Sequence, residues 1–277
     1  MTADNEPVAL RRWRQPRLLT ELFAVANLGF LGVDIFIAHA VNDFANPAEW
    51  IPVGFAPAAA ILLGVAMLAS RFDPWRTGSY GVGLAVGWAS VLVGVAGMIY
   101  HLSSQFFVRE TIKNLVYTAP FAAPLAFAGV GLLIILNRTV RPDRPDWSRW
   151  VLVLALGGFV GNFVLSLADH AQNGFFQPME WAPVFAAAFG ASFLLAAAAA
   201  RVRPGFLKLC GLVLAIQALV GAVGFVLHLL ADLHGPGPTL WDNILYGAPI
   251  FAPLLFADLA VLGAIGLWAR AQTCKDR

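Results

Sequence analysis

Long apolar stretches separated by short polar ones set the pattern of this chain. Apolar runs of about 20 residues recur from residue 18 to residue 268, which is the length a helix needs to cross a bilayer. The runs predict spans at about 18–42, 52–70, 81–105, 115–136, 149–171, 182–200, 207–230 and 243–268. Residues 1–17 form a polar N-terminal tail, 137–148 a linker rich in arginine and proline, and 269–277 a short tail. The basic tail before the first run also resembles a signal peptide. That run is longer than a signal core of roughly 7–15 residues, so it reads as a retained span.

The pattern repeats. Residues 39–53 and 170–184 agree at nine of fifteen positions without a gap. The shared residues include His39/His170, Asn42/Asn173, Phe44/Phe175, Glu49/Glu180 and Trp50/Trp181. Residues 114–128 and 243–257 also agree at nine of fifteen, including Tyr117/Tyr246, Pro120/Pro249 and Pro124/Pro253. Between these stretches, Gly94, Gly97 and His101 correspond to Gly221, Gly224 and His228. Such self-similarity predicts a duplicated unit of four helices, 18–136 and 149–268.

Charge orients the spans. Sixteen of the eighteen Lys and Arg residues fall on one side of this scheme; only Arg109 and Lys113 fall on the other. The positive-inside rule then places both termini in the cytoplasm. An even number of spans per unit makes the copies parallel, related by a pseudo-two-fold axis along the membrane normal. The expectation is an all-α integral membrane protein of eight transmembrane helices, in a bacterial-type inner or cytoplasmic membrane. Charged residues make up only 12% of the chain and mean hydropathy is +0.73, against roughly 25% charge in soluble domains. No nucleic-acid signature is present, and Cys210 and Cys274 provide neither a disulfide framework nor a thiolate metal site.

The candidate chemistry lies at the outer ends of the spans. His39, His101, His170 and His228 stand 20–25 residues beyond a cytoplasmic basic anchor, so all four reach a similar depth near the periplasmic face. Imidazole is the commonest metal ligand and serves zinc, copper and iron, haem iron included. The interfacial alternative fits one histidine better than the same two positions in both copies. Glu49 and Glu180 are candidate ligands or proton acceptors, although a helix-terminal carboxylate also suits the dipole. Asn42 and Asn173 are candidates to orient a ring nitrogen, with Tyr117, Tyr246, Trp50 and Trp181 at the same depth. Gly94, Gly97, Gly221 and Gly224 share a helix face with the histidines, where bare backbone would let a flat macrocycle approach; plain helix packing is the alternative. Asp34 and Asp258 lie inside spans, break the repeat, and are candidates for a proton path. His234 reads as solvated.

These residues predict a redox metalloprotein holding b-type haem or a copper, iron or zinc centre. Its expected neighbours are lipid and either a periplasmic redox partner or a quinone. The plan of two four-helix bundles with two histidines each is similar to haem A synthase in architecture only. Here the first histidine ends a span and its glutamate follows ten residues later, so no activity is carried over. A transporter with parallel repeats and a non-catalytic membrane anchor are the rival expectations.

Overall fold

The computed structural model describes residues 16–275 apart from 73, 75, 143 and 201, with side chains described as far as 272. Arg11, Arg12, Arg14, Arg201 and Arg277 of the predicted inner charge set, and the side chains of Cys274 and Lys275, lie outside the described residues. The described chain is helical, with no strand. The helices are α1 (Pro16–Ala40), α2 (Trp50–Ala69), α3 (Arg76–Gln105), α4 (Ile112–Tyr117), α5 (Leu125–Thr139), α6 (Pro145–Gln172), α7 (Trp181–Ala199), α8 (Pro204–Leu233), α9 (Leu240–Tyr246) and α10 (Leu254–Lys275).

Seven helices among the described residues are long and apolar enough to cross a membrane, the character of an integral membrane protein; Leu125–Thr139 is a shorter apolar helix. Their outward faces carry large apolar side chains such as Ile61, Leu92, Phe185 and Leu219, each exposed by more than half. In water such a surface would be unstable; against lipid it is the expected one.

Helix ends follow local sequence. Pro145 and Pro204 stand in the first turn of α6 and α8, where the missing N–H is no loss. The linker is shorter than expected, because α5 runs to Thr139 and α6 begins at Pro145. The larger departure concerns the spans expected at 115–136 and 243–268. Each is broken, into α4 and α5 across Thr118–Pro124, and into α9 and α10 across Gly247–Pro253. Two prolines four residues apart explain the break. Each proline lacks an N–H and disfavours helical geometry in the residue before it.

The packing order is the same in both halves. Helix α1 packs on α2, α2 on α3, α3 on α5, and α5 back on α1. Likewise α6 packs on α7, α7 on α8, α8 on α10, and α10 on α6. The halves meet where α5 touches α6 and α10 touches α1. One core centres on Leu28, Leu63 and Phe127, the other on Trp147, Leu152, Phe159 and Leu194, all 1% exposed or less.

Candidate functional site

The broken helices orient two of the four histidines. In an unbroken helix the carbonyl of Pro120 would accept from the N–H four residues on, but that residue is Pro124 and has none. The free oxygen instead takes a turn hydrogen bond from the Ala123 N–H (3.0 Å) and one from His101 Nδ1 (3.0 Å). Pro249 and Pro253 repeat the device: the Pro249 oxygen accepts from Ala252 N (3.2 Å) and from His228 Nδ1 (2.9 Å). A carbonyl only accepts, so Nδ1 must carry the proton in both rings. Neutral His101 and His228 therefore present Nε2 as a lone pair.

The other two histidines sit at helix C-termini. Phe44 N–H donates to His39 O (3.3 Å) and Asp43 N–H to Ala40 O (3.2 Å), the paired bonds of a Schellman cap. Phe175 N–H to His170 O and Gly174 N–H to Ala171 O, both 3.1 Å, repeat it. The cap needs a left-handed residue, supplied by Asp43 (φ 54°) and Gly174 (φ 72°). Phe44 and Phe175 follow at φ 53° and 51°, a costly conformation for a bulky residue. Each phenyl ring is held between two partners. Phe44 stacks on Trp50 at 4.1 Å and meets His39 at 6.3 Å; Phe175 stacks on Trp181 at 3.9 Å and meets His170 at 6.1 Å.

The close histidine contacts run within each half. The His39 and His101 ring centroids are 6.2 Å apart with planes at 66°. His170 and His228 are near enough to interact electrostatically, as are His101 and Glu49. Glu180 Oε2 lies 3.6 Å from His170 Nδ1, with both side chains largely shielded. In the first half Glu49 Oε1 accepts from Asn42 Nδ2 (3.0 Å), while His39 Nδ1 and Glu49 Oε2 are buried without a partner.

Several sequence expectations change here. Asn42 binds Glu49 and not an imidazole, and Asn173 ends α6 as its cap. The four glycines serve helix packing in place of a cofactor face. A Cβ at Gly94 would lie 2.6 Å from Ala128 N, and at Gly221 2.8 Å from Pro253 O; Gly97 and Gly224 face the side chains of Pro124 and Pro253. Small residues are required because the broken helix presses against α3 and α8. Tyr117 and Tyr246 are more than half exposed at the ends of α4 and α9. His234 is exposed at the end of α8, as expected. Asp258 accepts from Asn27 Nδ2 (2.9 Å) across the α1–α10 contact, and Asp34 lies two turns beyond Asn27 on the same face of α1.

Sequence reasoning passed over Asp232, which is 1% exposed. Its Oδ1 accepts from Ala248 N (3.0 Å) and ties the second break to α8, close to His228. In the first half hydroxyls do this work: Ala119 N donates to Ser104 Oγ (3.0 Å), and Thr118 Oγ1 donates to His101 O (2.7 Å). A buried acid without a counterpart in the repeat was the available signal. Among the described residues no group of three or more His, Cys, Asp or Glu side chains is arranged to hold a metal ion. Comparison with protein-family models, curated proteins and solved structures gives no match.

Proposed function

We propose that the chain is a membrane redox protein in which each half holds one b-type haem between two imidazoles, His39 with His101 and His170 with His228. The observation that carries this reading is the proline carbonyl on Nδ1 of His101 and His228, which leaves Nε2 free to ligate in both halves. The donor count favours haem over a bare ion. A copper, iron or zinc site needs three or four protein ligands, and no such group occurs among the described residues. A haem iron needs only two. His39 and His101, with ring centroids 6.2 Å apart, are the two residues that would hold it in the first half.

The chain's own groups have definite tasks in this scheme. Pro120 and Pro249 fix the tautomer of one ligand per half. Glu180 faces His170 Nδ1, where a carboxylate raises imidazole basicity. Phe44 and Phe175 brace the other ligand of each pair. The bound iron would supply one-electron transfer, with a periplasmic redox partner or a quinone as the exchanging species. The proposal includes eight crossings, with α4–α5 and α9–α10 as broken ones, the two halves related by a pseudo-two-fold axis along the membrane normal. Both termini are cytoplasmic, in a bacterial-type inner membrane.

The test is the visible spectrum and metal content of the protein purified in mild detergent. A Soret band is expected, with about two haems per chain, and lost by about half in His39→Ala or His228→Ala. Stoichiometric copper, iron or zinc without that band would select a bare metal site. Absence of both the Soret band and stoichiometric metal would overturn the reading in favour of a transporter, which the Asn27–Asp258 hydrogen bond between the halves would then support.

A further inference from the structure

At the end of the first half opposite the histidines, four polar side chains lie in the apolar interior. Thr20 and Glu21 of α1 and Asn137 and Arg138 of α5 line a cavity of about 10 Å³ whose remaining walls are apolar. Glu21 and Arg138 form an ion pair with side chains 10% and 5% exposed. Thr20 Oγ1 donates to Pro16 O (2.8 Å), and Asn137 Nδ2 donates to Arg17 O (3.1 Å). Asn137 Oδ1 is buried without a partner, in a residue 3% exposed.

The chemistry of what fits follows from these atoms. The Arg17 carbonyl accepts only, so it fixes the Asn137 amide with its NH2 toward Arg17 and its oxygen toward the interior. The open position is therefore an acceptor, and the guest must donate. An anion is excluded by that oxygen and by Glu21. A metal cation is disfavoured because the Arg138 guanidinium already neutralises Glu21. The space is at the lower limit for one water molecule, which requires roughly 10–15 Å³.

We infer that the first half holds a single internal water here, donating to Asn137 Oδ1 beside the Glu21–Arg138 pair. The second half holds none. In the register of the repeat, Thr20, Glu21, Asn137 and Arg138 correspond to Val151, Leu152, Gly266 and Leu267, all apolar. Leu152 occupies the space, its Cδ2 lying 2.9 Å from where a Cβ on Gly266 would be. The inference is independent of the haem reading.

A high-resolution structure of the full chain in a lipid nanodisc tests it. The expected map has one spherical density about 2.7–3.2 Å from Asn137 Oδ1, and none beside Leu152 and Gly266. Asn137→Leu removes the acceptor and fills the space, and should abolish the density while Glu21 and Arg138 stay paired. An empty cavity in a map that resolves other buried waters would overturn the inference. So would cation-like contacts near 2.3–2.6 Å, or density that persists in Asn137→Leu. If that variant does not fold, the wild-type map decides alone.

Discussion

The substitution Gly94→Ala isolates the contact that seats the first broken helix on α3. An added Cβ would lie 2.6 Å from Ala128 N, 2.8 Å from Pro124 O and 3.0 Å from Ala128 Cβ. Two of these are backbone atoms, which cannot swing away. Overpacking of this kind costs about 1–3 kcal/mol. The intrinsic gain of alanine over glycine in a helix returns about 1 kcal/mol. A net loss of up to about 2 kcal/mol follows. Gly129→Ala is the control, because nothing lies within 4 Å of a Cβ there; it should gain up to about 1 kcal/mol. The two variants differ by the overpacking cost of about 1–3 kcal/mol; at about 2–4 °C per kcal/mol for a chain approaching this length they should melt roughly 2–12 °C apart. Cys210 is 1% exposed, so a thiol-reactive dye in a Cys274→Ser background reads the unfolding directly. Gly221→Ala, which meets Pro253 O at 2.8 Å, should repeat the loss in the second half, with Gly211→Ala as its open control. If Gly94→Ala melts with Gly129→Ala, the close seating of the broken helix on α3 is wrong.

Other perturbations probe other links. Arg138→Leu leaves Glu21 buried without its partner and should cost about 3–5 kcal/mol; Glu21→Leu/Arg138→Leu, which copies Leu152 and Leu267 of the other half, should recover most of that in the same melting assay. Phe44→Gly should be more stable than Phe44→Ala by about 1 kcal/mol, since only glycine is at ease at φ 53°; equal melting would show that the left-handed turn is absent in solution. Pro124→Ala restores an N–H four residues beyond Pro120, so the helix can reclaim the carbonyl. The His101 Nδ1 signal in nitrogen-15 NMR should then shift toward that of a freely exchanging imidazole, and an unchanged signal would count against the carbonyl as its anchor.

The helices, their order and their approximate ends were readable because each apolar run is long and bounded by charge or proline. The break in the runs at 115–136 and 243–268 was not. A run such as 115–136 is largely apolar, and one proline near its start is compatible with a helix; Pro124 denies the Pro120 carbonyl its donor, and both prolines disfavour helical geometry in the residue before them. For the same reason the glycines pointed two ways. Spacing puts Gly94 and Gly97 on the face of His101, but what fills that face is decided by a segment more than twenty residues away. Phe44 and Phe175 were visible as repeated residues without a task. Their left-handed backbone follows a cap whose own left-handed residue is Asp43 or Gly174, and their rings are held on Trp50 and Trp181, contacts that spacing alone does not reveal.

The proline carbonyls also order events in time. His101 emerges from the ribosome 19 residues before its acceptor, and His228 emerges 21 before its own. Until the closing helix of each half has inserted and docked, that imidazole has no fixed tautomer and no reason to hold a metal. Under the proposed haem reading, capture would wait for each bundle to close, so a chain truncated before Pro120 should remain colourless.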